Sequence, residues 1–224
     1  MQAVTPVSRV DEEFYREHGL TKYTRTKREA ITPGHSNAAG VLYRIYDPGA
    51  QIFRCFQCHS TGPLSFTPAM GIQPFEAGVT CESCHGPGSE HAKSPGKLNI
   101  FQPKMLNAAA VNQFCGNCHR KPPGPGEDTN FADPWNARHQ PVSLSQSACF
   151  RKSGGKLTCF TCHDPHGAKP TRLDACDSCH TNVRHKVLIT KTQTCTGCHM
   201  APVKPSADLQ FANHLIPRIA APLR

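Results

Sequence analysis

Cys159-Phe160-Thr161-Cys162-His163 is followed by Cys176-Asp177-Ser178-Cys179-His180 and Cys195-Thr196-Gly197-Cys198-His199, one pattern written three times in close succession. Upstream, Cys55-Phe56-Gln57-Cys58-His59, Cys81-Glu82-Ser83-Cys84-His85 and Cys115-Gly116-Asn117-Cys118-His119 repeat it, which makes six copies in 224 residues. In a helical turn, residues i, i+3 and i+4 share a face, so both thiols and the imidazole of each copy point the same way. Cys-x-x-Cys-His is the covalent haem attachment pattern. Each thiol adds to one vinyl group of the haem, and the histidine ligates the iron from one face.

Other cysteine chemistries fit less well. Structural zinc takes four ligands from paired knuckles, and nothing in a knuckle calls for histidine directly after the second cysteine. A thioredoxin-like site would show one Cys-x-x-Cys beside a βαβ pattern, which is absent. A disulfide framework would not place histidine after every pair.

Six haems leave about 37 residues for each, too few for six separate domains. The porphyrins must pack together and replace much of a hydrophobic core. Only 38% of residues are hydrophobic, a figure that includes all 13 cysteines. With 20 Pro and 17 Gly, long helices and wide sheets are not expected. The chain therefore reads as a multihaem cytochrome c fold, mainly irregular with short α-helices around six covalently attached haem c groups. Without haem, it should not fold.

The 25 Lys and Arg outnumber the 16 Asp and Glu, a formal +9. Two propionates on each of six haems contribute about −12, and a ferric bis-histidine core about +1 each, so the oxidised holoprotein lies near +3 and the reduced one near −3. The cations thus read as propionate partners, spread along the chain apart from Lys22, Arg25, Lys27 and Arg28. Nucleic-acid binding is not expected. No apolar run has the length of a transmembrane helix, and Met1-Gln2-Ala3-Val4-Thr5-Pro6 lacks the apolar region of a signal peptide. Haem attachment is completed outside the cytoplasmic membrane, so the reading is an exported, periplasmic or extracellular protein whose signal peptide is not in this sequence.

Residues 1–50 carry no haem motif. The run 11–19 reads as a short helix with acidic residues at its start and Gly19 as its stop. Val41 to Tyr46 alternates as a strand, ended by Asp47-Pro48-Gly49. Haems 1–3 are expected on residues 51–120, a linker over 121–157 opening at Lys121-Pro122-Pro123-Gly124-Pro125-Gly126, and haems 4–6 on 158–224, all as one cooperative haem-bound unit. The last three motifs are spaced closely enough for their haems to be immediate neighbours.

His59, His85, His119, His163, His180 and His199 serve as the motif ligands. Seven histidines remain for the opposite faces, one more than six irons need. Imidazole is a good iron ligand. The candidates are His91, His166, His185 and His214, then His35 and His139, with His18 last because it falls on the expected helix. Met200 directly follows a motif histidine, is badly placed to reach the other face and is taken as packing. Cys149, the one cysteine outside the motifs, is taken as a small buried thiol. An axial or intermolecular bond for it stays open.

Cys81-Glu-Ser-Cys-His-Gly-Pro-Gly-Ser-Glu-His91 resembles a motif of a broad multihaem cytochrome class. That class includes small tetrahaem carriers and octahaem proteins related to hydroxylamine oxidoreductase and tetrathionate reductase. Cys159-Phe-Thr-Cys-His-Asp-Pro-His166, Cys195-Thr-Gly-Cys-His-Met200 and Asn213-His214-Leu215-Ile216-Pro217 are similar to the same class, so the resemblance spans about residues 50–217. It implies bis-histidine haems in stacked and perpendicular pairs, with His91, His166 and His214 ligating neighbouring haems. Gly86-Pro87-Gly88 also turns the chain too soon after His85 for His91 to cross its own porphyrin easily. The Cys-x-x-Cys-Lys site of multihaem nitrite reductases does not occur, and no cross-linking tyrosine can be located.

The resulting expectation is a hexahaem electron carrier that exchanges electrons with redox partner proteins. No general acid, nucleophile or substrate pocket stands out. Two alternatives remain. One is a reductase or oxidoreductase with one open haem, and the other is a subunit of an extracellular filament in which His18 or His35 ligates a haem of the next copy.

Overall fold

The computed structural model describes residues 2–10, 14–32, 43–44, 51–66, 72–94, 96, 99–124, 127, 133–167, 175–185 and 193–217. Contacts divide the chain into two units, Met1–Gln102 and Pro103–Arg224.

The first unit begins with short strands: β1 (Ala3–Val4), β2 (Val7–Val10), β3 (Phe14–His18), β4 (Leu20–Tyr23), β5 (Glu29–Ile31) and β6 (Tyr43–Arg44). They form two antiparallel sheets, ordered β1-β4-β5 and β2-β3-β6. Residues 14–18 are thus a strand, not part of the expected helix over 11–19. Phe14 and Tyr15 suit a pleated surface, and β3 pairs with β2 from Val7↔Glu17 to Val10↔Phe14. A helix that short carries an unrecovered nucleation cost, whereas the ladder satisfies the backbone of both runs. Tyr43 and Arg44 of the expected strand at 41–46 lie in β6, and the turn at 47–49 falls outside the described residues.

Polar groups close the first sheet. Thr21 and Thr32 are buried, and the Thr21 hydroxyl donates to that of Thr32 at 3.0 Å. Thr32 in turn donates to the His18 carbonyl at 2.7 Å, so each buried hydroxyl has a partner, as buried polar groups require.

Helix α1 (Gln51–His59) leads into a hairpin of β7 (Ser60–Phe66) and β8 (Ile72–Ala77). Its register breaks between Thr61 and Leu64, where Gly62-Pro63 interrupts the ladder as expected for a bulge. Gly62 has φ +77°, and a Cβ there would sit 3.0 Å from Phe75. Helices α2 (Cys81–His85) and α3 (Ser89–Lys93) complete this unit. Gly86 at φ +69° ends α2 and turns the chain toward α3.

The second unit holds α4 (Ala108–His119), α5 (Gln140–Gln146), α6 (Ala148–Lys152), α7 (Cys159–Cys162) and α8 (Cys195–His199), with 3-10 turns at Pro103–Met105, Pro134–Arg138 and Ala175–Ser178. A two-stranded pair, β9 (Pro202–Val203) and β10 (Phe211–Ala212), lies near its C-terminal end. Asn107 caps α4 by accepting from Ala110 N at 2.9 Å. Val111 of α4 and Val142 of α5 are fully buried. The stretch read as a linker over 121–157 therefore contains the 3-10 turn, α5 and α6. Pro141 sits in the first turn of α5, where its missing N–H costs nothing, so it marks a helix start and not a break. The division between the units also falls at Gln102 and Pro103, ahead of the third motif.

The architecture is the expected one of short helices in mostly irregular chain, with small sheets added. The longest helix among the described residues has 12. No helix among them is long and apolar enough to cross a membrane.

Candidate haem sites

Every motif lies on a helical turn. Cys55, Cys58 and His59 end α1, Cys81, Cys84 and His85 make up α2, and Cys115, Cys118 and His119 form the last turn of α4. Cys159 and Cys162 bound α7, with His163 next, and Cys195, Cys198 and His199 lie in α8. At the fifth motif Cys176 is in a 3-10 turn, and His180 N donates to the Cys176 carbonyl at 2.9 Å. None of the 13 cysteines is in a disulfide. Among the described residues, no three His, Cys, Asp or Glu side chains converge as metal donors.

Residues that sequence reasoning passed over hold these turns. Thr61, buried on β7, accepts from Thr80 N at 2.9 Å and donates to the Gly78 carbonyl at 2.8 Å. It also shares a hydrogen bond with Ser83 inside the second motif, so the hairpin fixes where α2 begins. Thr194 accepts from Gly197 N at 3.0 Å, and Thr158 N donates to Thr161 Oγ1 at 3.0 Å. The available signal was threonine directly before the first cysteine, at Thr80, Thr158 and Thr194, each at a helix N-cap where that residue type is favoured. Gly116, inside the third motif, has its own reason. A Cβ there would lie 2.6 Å from Lys121 Cα, because the chain folds back over the attachment turn.

Three histidine rings are oriented by backbone carbonyls. His85 Nδ1 meets the Phe101 carbonyl at 2.7 Å, His199 Nδ1 the Pro217 carbonyl at 3.2 Å, and His214 Nδ1 the Ala212 carbonyl at 3.0 Å. A carbonyl only accepts, so Nδ1 carries the proton and Nε2 the lone pair. That is the tautomer and orientation a metal-bound imidazole takes from its outer shell. His91 Nδ1 makes a comparable contact with Asn99 Oδ1 at 3.2 Å.

Two spare histidines stand near motif histidines. The rings of His163 and His214 have centroids 6.1 Å apart at an interplanar angle of 22°. Those of His185 and His199 are 6.4 Å apart at 48°. Burial, chiefly, pushes the pKa of His163 and of His214 down, with His119 adding to it in each case. The neutral form so favoured is the ligating one.

The remaining candidates are less prepared. His139, between the 3-10 turn and α5, is held down to about 4 by burial and then by Arg138 and Arg120. Its Nε2 accepts from Arg138 Nε at 3.2 Å, so the guanidinium must release it before it can bind iron. His166 follows α7 in a turn, its Nδ1 4.0 Å from Asp164 Oδ1. His18 is on β3 and His35 lies outside the described residues. Cys149 sits half-buried in α6, and Met200 caps α8 directly after His199.

Residues 17–86 match the family described as cytochrome c554 and c-prime. Over 138 residues the chain is 27% identical to the multiheme cytochrome MtrA of Shewanella baltica (strain OS185), covering 55% of this chain and 35% of that protein. Over 123 residues it is 29% identical to the C-type polyheme cytochrome OmcB of Geobacter sulfurreducens (strain DL-1 / KN400), covering 51% and 14%. The crystal structure of the outer cell wall cytochrome OcwA superposes with a TM-score of 0.58 at 16% identity, covering 96% of this chain and 65% of that one. This chain is a multihaem c-type cytochrome. Like its solved neighbour, the multihaem cytochrome folds as short elements in irregular chain, and its matches span about a third or less of the curated relatives' lengths. Its Cys-x-x-Cys-His turns, thiols outside any disulfide and imidazole tautomers fit haem c.

Proposed function

We propose that this multihaem c-type cytochrome binds six haem c groups and passes electrons between redox partner proteins outside the cytoplasmic membrane, with every iron held between two histidines. The observation that carries the reading is the six Cys-x-x-Cys-His pentapeptides, each on a short helical turn, with the spare His214 near His163 and the spare His185 near His199. The bound haems supply reversible one-electron Fe(III)/Fe(II) chemistry.

The protein's part is to hold and tune. Twelve motif cysteines fix the porphyrins on short turns that would not persist alone. The carbonyls of Phe101 and Pro217, by holding the Nδ1 protons of His85 and His199, orient the rings and raise their basicity as ligands. The half-buried setting of His214 limits its contact with water, one of the levers that sets a haem potential. His91, His166, His35 and His139 complete the distal set, and His91 serves an iron other than that of its own motif. The short path through Gly86-Pro87-Gly88 and the separate helix α3 support that cross-connection.

Carbon monoxide titration of the reduced protein tests this reading, because a low-spin iron with two histidines has no open position. The expected result is binding well below one equivalent per protein, with the oxidised protein free of a stoichiometric high-spin signal. One full equivalent of either would overturn bis-histidine ligation of all six and favour an enzyme with one open haem.

A further inference from the structure

We propose that the outer face of the β1-β4-β5 sheet, rimmed by the cations of the β4–β5 turn, docks an acidic redox partner protein through an apolar centre. This rests on the electron-transfer reading above and adds the surface at which a partner is met.

The sheet is amphipathic in the reverse of the usual sense. An antiparallel sheet packed on one side normally turns aliphatic side chains inward and polar ones to solvent. Here the inward side is built of hydroxyls. Thr21 and Thr32 are buried, Thr5 and Thr21 share a hydrogen bond of 2.6 Å, and the chain of bonds runs on through Thr32 to the His18 carbonyl. The pleat then places Val4, Leu20 and Ile31 on the other side, at 44%, 38% and 47% exposure. Leu20 stands directly opposite Ile31, and Val4 directly opposite Lys22. A slip of one residue would turn the aliphatics inward, but it would break those hydroxyl bonds. The register is thus held with its aliphatic face outward.

The rim of that face selects its occupant. Lys22 on β4 and Arg25, Lys27 and Arg28 beyond it are all exposed, and the carboxylate on these strands is Glu29, opposite Lys22. Lys27 has φ +59°, a left-handed position that glycine takes without strain and lysine does not, so the turn holds a cation there against local preference. An apolar centre inside a charged rim is the anatomy of a protein interface, and a basic rim calls for an acidic counterpart. A bare polyanion would leave the aliphatics uncovered, and a second copy would set the same cations face to face. So small a patch suits a transient electron-transfer encounter. The protein's own haems are the remaining candidate. However, residues 1–50 carry no attachment motif. The sheet's link toward the second motif also leaves from its hydroxyl side, through His18 on β3, which packs against β8.

The test follows reduction of the oxidised holoprotein by flavodoxin hydroquinone, a small acidic one-electron donor, in stopped flow. The variants are Lys22→Gln/Lys27→Gln and Leu20→Ser/Ile31→Ser, with dithionite as a donor that needs no docking. The parent rate should fall as ionic strength rises. At low salt it should drop about tenfold in the cation variant and severalfold in the aliphatic variant, with dithionite reduction unchanged in both. Parent-like flavodoxin rates in both variants would overturn the proposal. A loss confined to the cation variant would overturn it in favour of a purely ionic site. A parent dimer that Leu20→Ser/Ile31→Ser dissociates would overturn it in favour of a second copy. A shifted haem spectrum or redox titration in either variant would assign the face to one of the chain's own haems. If neither variant folds, the parent decides: a steep fall with salt supports docking, and a rate independent of salt excludes it. A parent that dithionite fails to reduce would instead count against the electron-transfer reading.

Discussion

Replacing His214 with Ala is expected to leave all six haems covalently attached and to convert one from low-spin to high-spin. Carbon monoxide binding by the reduced protein should rise from near zero to one equivalent. The attachment chemistry uses only motif cysteines, so it does not sense this residue. Ligation does. The His214 ring stands 6.1 Å from that of His163, its Nδ1 is fixed by the Ala212 carbonyl at 3.0 Å, and Asn213 N donates to the Met200 carbonyl at 3.3 Å. Alanine leaves that face of the iron without a nitrogen and the backbone in place. His18→Ala, on strand β3, should change neither spin state nor carbon monoxide binding. If His214→Ala keeps six low-spin haems and no substitute ligand is found, the pairing is wrong.

Producing the chain without haem attachment is expected to abolish cooperative unfolding of the second unit. Val111 and Val142 are the fully buried aliphatic side chains described there, and Ala108, Ala137, Leu144, Ala175 and Leu209 are the rest of its described buried apolar set. Helices α6, α7 and α8 have four or five residues each, far below the length at which a helix is stable alone. Such elements persist only when tied to something larger, and the thioether and iron–imidazole bonds of the proposed haems would supply those ties. Hydrogen exchange reads this directly. Amides of α7 and α8 should exchange at the rate of an unstructured chain in the haem-free protein and be strongly protected in the holoprotein. Equal protection in both would show that the polypeptide supports its own fold.

The attachment sites were legible because covalent haem chemistry requires contiguous residues, and Cys-x-x-Cys-His states the whole requirement locally. The absence of long helices was legible from the Pro and Gly content and from the share of chain each haem must take. What depends on pairing was not. His214 and His185 could be picked as ligands by type, yet only the folded chain sets them beside His163 and His199. Residues 14–18 carry acidic and aromatic side chains that suit a short helix or a strand, and the partner strand Val7–Val10 decides between them. The linker over 121–157 was read from the breakers of Lys121 to Gly126, which say nothing of the helix that Pro141 opens further on.

The most direct test of the whole account is the intact mass of the purified protein, denatured and treated with a thiol-alkylating reagent. Six covalently attached haems, and one alkylated thiol at Cys149, are the predicted result. A mass with fewer than six haems, or alkylation of any motif cysteine in the major species, would contradict it.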